Sequence, residues 1–329
     1  MSENEVPDFE PAWWLPGPHL PTLWAAVARR HPEVALRPER LELADGDFLE
    51  LRWCGSESGP LVVLLHGLEG SFRSKYIAAL ARMIERAGWG AVIMQFRGCS
   101  GEPNRLDRSY HSGDTGDLEA VLAHLRRRFP RRQFFAAGFS LGGNVLLKHL
   151  GERGPTCDIA AAAAISVPFE LAAGAERLNQ GVSRLYQYHL IRSMKRKLRE
   201  KFASRSAPID LSDLDRCNDF RSFDDRVTAP LHGFENATEY YRKSSCRQYL
   251  GAIRIPTLVL HAADDPFLTR AAVPGNDELS ATTTLQLTSR GGHVGFVAGR
   301  NPLQPDYWID ARLMAWFAAH VNDGTPNTT

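Results

Sequence analysis

Cysteine is scarce in this chain of 329 residues, and its pattern excludes two chemistries. The five thiols, Cys54, Cys99, Cys157, Cys217 and Cys246, are odd in number, widely scattered and form no C-x-x-C pair. Neither a zinc site nor a redox dithiol is indicated, and free thiols in a reducing cytoplasm are the expectation. Charge of one sign is a second absence. Lys plus Arg number 39 against 38 Asp plus Glu, which removes the broad electrostatic case for nucleic acid as a partner. Long apolar runs are missing too, so no segment reads as a bilayer span. The acidic start Met1-Ser2-Glu3-Asn4-Glu5 lacks the basic residues and apolar stretch of a secretory signal. A soluble, cytoplasmic protein is expected. There is no internal repeat or low-complexity segment, and the tail from Asn322 to Thr329 is expected to fray.

What is present is an ordinary globular composition, 43% hydrophobic and 23% charged, sufficient to bury a large core. At this length one α/β domain carrying an insertion is the natural prior. After an arm rich in Pro and Trp, Leu41-Glu42-Leu43 and Phe48-Leu49-Glu50-Leu51 alternate around Asp45-Gly46, which predicts an antiparallel hairpin. The pattern then changes. Leu61 to Leu65, Ala91 to Met94, Phe134 to Ala137 and Ile159 to Val167 are continuous apolar runs, as in strands buried on both faces. Tyr76, Ile77, Leu80, Met83 and Ile84 recur at helical spacing between the first two runs, and Leu118, Val121, Leu122 and Leu125 between the next two. This is the βα rhythm of a mostly parallel sheet.

The rhythm stops after Pro168 and resumes at Thr257 to His261. We therefore expect residues 1–168 and 251–329 to build one core and residues 169–250 to form an inserted helical cap. In the cap, Leu185, Tyr188, Ile191, Leu198 and Phe202 read as an apolar stripe among dense Arg and Lys. Those basic residues have two readings, a solvated helix face or a surface that attracts anionic lipid or phosphate. Trp13 and Trp14 likewise either pack on the domain or touch a membrane interface.

Gly138-Phe139-Ser140-Leu141-Gly142 is a G-x-S-x-G pentapeptide, and its context carries more weight than its letters. It lies between a buried strand and a helix, where a nucleophile elbow holds a strained serine and flanking glycines allow close approach. At the end of the first parallel strand, His66-Gly67-Leu68-Glu69-Gly70 makes a sharp turn. There the Leu68 N–H is the expected first oxyanion donor, with the Leu141 N–H, at a helix start, as the second. His66 itself reads as a structural histidine of the turn, with a role as base the lesser alternative.

In this arrangement the chain order is nucleophile, acid, base. After Thr257 to His261 come Ala262-Ala263-Asp264-Asp265-Pro266-Phe267-Leu268. Asp265 is preferred as the acid because of the apolar residues that follow it, and Asp264, the alternative, would brace the turn. His293 follows in the glycine-rich loop Gly291-Gly292-His293-Val294-Gly295, whereas His320 falls with the apolar terminal helix around Leu313 to Phe317. Ser140, Asp265 and His293 are thus the expected catalytic residues, with no metal and no organic cofactor.

With these residues in place, the chain resembles the YheT-like branch of the α/β-hydrolases, the AB hydrolase 4 family. The likeness is carried by Pro11-Ala12-Trp13-Trp14, Gly17-Pro18-His19-Leu20-Pro21-Thr22, His66-Gly67-Leu68-Glu69-Gly70, Phe96-Arg97-Gly98-Cys99-Ser100-Gly101-Glu102-Pro103-Asn104 and Tyr110-His111-Ser112-Gly113-Asp114-Thr115. Pro21 departs from the glutamine expected there. The resemblance implies an α/β-hydrolase fold and a carboxylic ester hydrolase, with eukaryotic relatives acting on acylglycerols or phospholipids. The implied partner is a small-molecule or lipid-like ester, with peripheral membrane contact open. Acyl transfer to an alcohol and a non-catalytic ligand-binding protein are the rival functions. Arg97, His111 and Asp114 are expected to form an internal ion-pair and hydrogen-bond network that holds their loop, with a substrate contact the lesser alternative.

Overall fold

A computed structural model describes residues 6–321. Helix α1 (His19–Val27) precedes an eight-stranded sheet made of β1 (Arg37–Glu42), β2 (Phe48–Gly55), β3 (Leu61–Leu65), β4 (Gly90–Gln95), β5 (Phe134–Phe139), β6 (Ala161–Ile165), β7 (Thr257–Ala262) and β8 (Thr283–Thr288). The spatial order is β1-β2-β4-β3-β5-β6-β7-β8. β1 and β2 form the expected hairpin, β2 pairs antiparallel with β4, and every pair from β4 onward is parallel. Helices α2 (Lys75–Arg86), α3 (Gly116–Arg128) and α4 (Leu141–Arg153) make the crossovers.

β3, β5 and β6 are buried along their whole length, consistent with their unbroken apolar runs. β6 is four alanines and an isoleucine, and such small side chains let a helix lie close. α4 does so, buried from Leu141 to Gly151. Because β3 to β8 run parallel, their carboxyl ends share one edge, and the loops leaving β3, β5, β7 and β8 converge there.

Between Ile165 and Thr257 the regular structure is helical, with α5 (Leu171–Leu178), α6 (Ser183–Lys201), α7 (Phe220–Phe223), a π-helical turn (Asp224–Thr228), α8 (Ala229–Leu231) and α9 (Ala237–Ser244) joined by loops. These helices share a core of their own, including Leu178, Ile191, Phe223 and Tyr241. The apolar stripe expected in the cap holds at Ile191, Leu198 and Phe202, which are buried, but not at its start. Leu185 and Tyr188 are 68% and 64% exposed, and the buried positions are Ser183, Gln187, Ile191, Lys195, Leu198 and Lys201. Hydrogen bonds explain the difference: Gln187 donates to Asn179 and accepts the Phe220 N–H, while Lys201 donates to Asn104 Oδ1 and the Arg108 carbonyl.

Two further elements were not expected. β8 is an edge strand, and β9 (Val297–Ala298) with β10 (Asp306–Tyr307) forms a small ribbon. The N-terminal arm docks beside it, with Ala12 N–H donating to the Val297 carbonyl and Trp14 Nε1 to that of Gly299. The chain closes with α10 (Trp308–Ala318). No helix among the described residues is long and apolar enough to cross a membrane, and all five cysteines are free.

Candidate active site

Ser140 sits at the hinge between β5 and α4, with φ 50° and ψ −118°. This backbone region is costly for a residue with a Cβ, so the surrounding structure must hold it. It does so through a Ser140 N–H bond to the Ile165 carbonyl at 2.8 Å and an Asn144 N–H bond to the Ser140 carbonyl at 3.1 Å. The flanking glycines are needed sterically: a Cβ on Gly138 would stand 2.4 Å from the Gly142 carbonyl oxygen, and one on Gly142 would stand 2.5 Å from that of His66.

The loop after β8 brings His293 to this serine, with Nε2 3.0 Å from Ser140 Oγ. Its Nδ1 lies 2.8 Å from Asp265 Oδ2, in the turn after β7. The carboxylate accepts from Nδ1–H, which leaves the Nε2 lone pair facing the hydroxyl. Burial pushes the Asp265 carboxyl up, but His293, His261 and the Phe267 N–H outweigh it and hold it below the usual carboxylate range. The neighbouring Asp264 instead accepts the Gly292 N–H at 2.9 Å, bracing the histidine loop. Thr22 of α1 and Ser166 after β6 brace it as well, accepting the N–H groups of His293 (2.8 Å) and Val294 (2.9 Å). Phe267 stacks face to face on the imidazole, ring centres 3.9 Å apart and 3° from parallel.

At the turn after β3, Gly67 N–H donates to the Tyr76 hydroxyl and Glu69 N–H to the Tyr110 hydroxyl, both at 2.9 Å. Between them, the Leu68 N–H meets no acceptor among the described residues, and neither does that of Leu141 at the start of α4. A Cβ on Gly67 would lie 3.3 Å from Ser140 Cβ, so this turn abuts the serine. His66 is fully buried, turned from Ser140 into a bond between Nδ1 and the Gly67 carbonyl, and Nε2 accepts the Phe96 N–H. Burial drives its pKa down to about 4, which keeps it neutral. His320 caps the terminal helix through the Trp316 carbonyl.

Two chambers meet beside Ser140, at the shared residues Leu68 and Leu141. One holds Ser140 and His293 and has apolar walls from Leu171, Ala175, Leu178, Leu190 and Phe267, with about 590 Å³ of space out to its mouth. The other, about 1030 Å³, shares Leu68, Ser112, Leu141, Phe220, Asp224 and Tyr240 with it and extends past Glu69, Lys197 and Lys201. Arg97 is fully engaged elsewhere, with Asp117 (2.6 Å), Asp47 (2.9 Å) and Asp45 (2.8 Å). Asp114 pairs with Arg108 rather than with Arg97, and His111 accepts the Gly113 N–H. This internal network holds the loop after β4.

Sequence reasoning missed the residues that brace these groups: Tyr76, Tyr110, Thr22, Ser166 and Asn144. Asn144 donates to the Ser112 and Ser244 carbonyls and accepts the Cys246 N–H, tying α4 to the helical layer. The one available signal was a polar residue on a helix otherwise buried.

A family model described as the alpha/beta hydrolase fold matches residues 60–299. YheT of Escherichia coli (strain K12) is 39% identical and covers 95% of this chain and 94% of its own length. Phospholipase ABHD3 of Mus musculus is 32% identical over 93% of this chain and 79% of its own, and the monoacylglycerol lipase of Saccharomyces cerevisiae is 32% identical over 74% and 56%. Among solved structures, the Pyrococcus furiosus esterase Pf2001 superposes with a TM-score of 0.59 at 17% identity, covering 88% of this chain and 92% of that one, a likeness of fold. The strand order, the strained serine between β5 and α4 and these likenesses agree: the chain belongs to the α/β hydrolase family, in the branch that contains YheT.

Proposed function

We propose that the chain is a serine carboxylic ester hydrolase that acts on lipid-like acyl esters through an acyl-Ser140 intermediate. The observation that carries this reading is the hydrogen-bonded series from Ser140 Oγ through His293 to Asp265, at 3.0 and 2.8 Å. As Oγ bonds to the acyl carbon, His293 Nε2 takes its proton, and Asp265 stabilises the resulting imidazolium. The oxygen that gains charge is met by the Leu68 and Leu141 N–H groups; losing one such donor costs roughly 10²- to 10³-fold in rate. The carbonyl then re-forms, the ester C–O bond breaks, and Nε2 returns the proton to the departing alcohol. Water repeats the sequence on the acyl-enzyme, giving acid and regenerated Ser140. This chemistry requires neither metal nor organic cofactor. Residues 169–250 act as the cap, whose α5 and α6 supply the apolar wall for an acyl chain. Similarity to a phospholipase, ABHD3, and to a yeast monoacylglycerol lipase supports a lipid-like ester.

A fluorophosphonate probe tests the reading. It should label Ser140 in the parent and nothing in Ser140→Ala. Turnover of p-nitrophenyl esters should fall by more than about 10³-fold in the variant, as removal of a serine nucleophile does elsewhere. Labelling at another residue, or equal turnover by the variant, overturns it. A product ester in place of the acid, with an alcohol competing, moves the assignment to acyl transfer.

A further inference from the structure

Exposed apolar side chains gather at one corner of the molecule. On α1, a helix without a charged residue, Leu20, Leu23 and Val27 are exposed, Val27 at 74%. At the start of α6 and just before it, Val182, Leu185 and Tyr188 are exposed as well. The two helices touch, with His19 Nδ1 and the Tyr186 hydroxyl 3.2 Å apart and their rings stacked. A protein surface in water normally intersperses such side chains with charges of both signs. On these two helices one sign is missing up to Glu200. No Asp or Glu occurs between Glu10 and Glu33, nor between Glu176 and Glu200. Arg184 and Arg192, exposed at four-residue intervals about Tyr188, share its face of α6 and make no ion pair with a described residue.

The same corner borders Ser140. The Tyr186 ring lies 5.1 Å from that of Phe267, which stacks on His293. Leu178 of α5 and Leu190 of α6 line the chamber that holds Ser140 and His293.

We propose that the α1–α6 corner docks the protein on a lipid bilayer that carries anionic headgroups, with the mouth of the Ser140 chamber toward the lipid. Leu20, Leu23, Val27 and Leu185 enter the acyl boundary, Tyr188 sits at headgroup depth, and Arg184 and Arg192 meet the phosphates. A second copy of the chain fits this corner less well: a two-fold contact would bring the arginines of both copies together with no acid between them. The docking stands on the surface alone. Its use, to deliver lipid esters to Ser140, rests on the ester-hydrolase reading.

The test therefore separates binding from turnover. Ser140→Ala protein is sedimented with vesicles of phosphatidylcholine alone or mixed with phosphatidylserine. The mixed vesicles should carry the protein down far better, and less so as salt rises. Leu23→Glu/Leu185→Glu should abolish the binding, and Arg184→Gln/Arg192→Gln should weaken it on the order of thirtyfold, given the usual gain per basic residue at an anionic surface. Unchanged unfolding temperatures show that the variants fold. In the Ser140 background, both double variants should keep parental turnover of a water-soluble short-chain ester while losing turnover of vesicle-borne ester. The proposal is overturned if the parent fails to bind either vesicle, or if the variants bind as the parent does. A concentration-dependent dimer seen by light scattering and lost in Leu185→Glu would also overturn it, assigning the corner to a second copy.

Discussion

Asp264 and Asp265 are adjacent in the chain, yet hydrogen bonding separates them completely. Asp265 Oδ2 accepts from His293 Nδ1, and its Oδ1 accepts the Phe267 N–H at 2.8 Å. Asp264 accepts a loop N–H and leaves Oδ2 without a partner among the described residues. Asp265→Asn should lower kcat by about 10⁴, because an amide favours the wrong imidazole tautomer. Asp264→Asn, which keeps an acceptor for Gly292, should cost less than about tenfold on the same reasoning. Steady-state kinetics of the two variants on one p-nitrophenyl ester checks this, and equal losses would contradict it. Because the folded-state pKa of Asp265 lies below its ordinary 3.8, its contribution to stability is present above that value. It is lost only as pH falls through the lowered one. Phe267 belongs to the same cluster: by its stacking it sets the plane of the imidazole. Phe267→Leu should lower kcat about tenfold with little change in KM for a short ester, since small misplacements of a base are expensive.

Among the elements, the π-helical turn Asp224–Thr228 is the most unusual, and such turns often mark functional positions. It holds Asp224 where both chambers meet, bonded to the Thr228 hydroxyl at 2.6 Å and the Tyr241 hydroxyl of α9 at 2.7 Å. Burial outweighs these bonds and raises the carboxyl from 3.8 to about 6. A raised carboxyl favours the protonated form in the folded state. Its support is fully present below the ordinary value and is lost as pH rises through about 6. Asp224→Asn should therefore raise the unfolding temperature at pH 8 and leave it near the parent's at pH 4, which thermal melts at the two values decide. The sequence hid this turn, and the reason is general to the segment around it. The parallel strands β3 to β7 were legible because burial on both faces demands unbroken apolar runs. Ser140, Asp265 and His293 were legible because each needs glycines or a strand end beside it. β8, half exposed at the sheet edge with Thr283-Thr284-Leu285-Gln286-Leu287, shows no such run. On α6, Ile191 and Leu198 were legible but Leu185 and Tyr188 were misplaced, because Gln187, Lys195 and Lys201 fill much of the buried face through hydrogen bonds, which hydrophobic periodicity cannot register. Tyr76 and Tyr110 escaped for a similar cause, since their partners are backbone N–H groups 9 and 41 residues away.

For the whole molecule, the question is what fixes the helical layer over the sheet edge, since misplacement there would open the Ser140 chamber. Many polar ties cross between the two, from Lys201 to Asn104, from Ser183 to the Pro266 carbonyl and from Asn144 to Ser244 among others, and one group of them reaches the turn after β3. Glu69, next to Leu68, accepts from Ser193 Oγ at 2.6 Å, Lys197 Nζ at 3.1 Å and the Tyr110 hydroxyl at 3.1 Å. Its side chain is only 7% exposed, so water offers those donors little compensation if it is removed. One residue thus couples the tilt of α6 to the turn that presents the Leu68 N–H. Glu69→Ala should cost about 1.5–3 kcal/mol of stability, the range for hydrogen bonds to charged groups. It should also speed amide exchange along residues 183–201 and lower kcat for short and long esters alike. Glu69→Gln keeps an oxygen for Ser193 and should recover more than half of each effect. If exchange in α6 and turnover both stay at parental levels in Glu69→Ala, the layer is held by its apolar contacts and its other polar ties, such as Lys201 to Asn104, and the turn after β3 keeps its shape without Glu69.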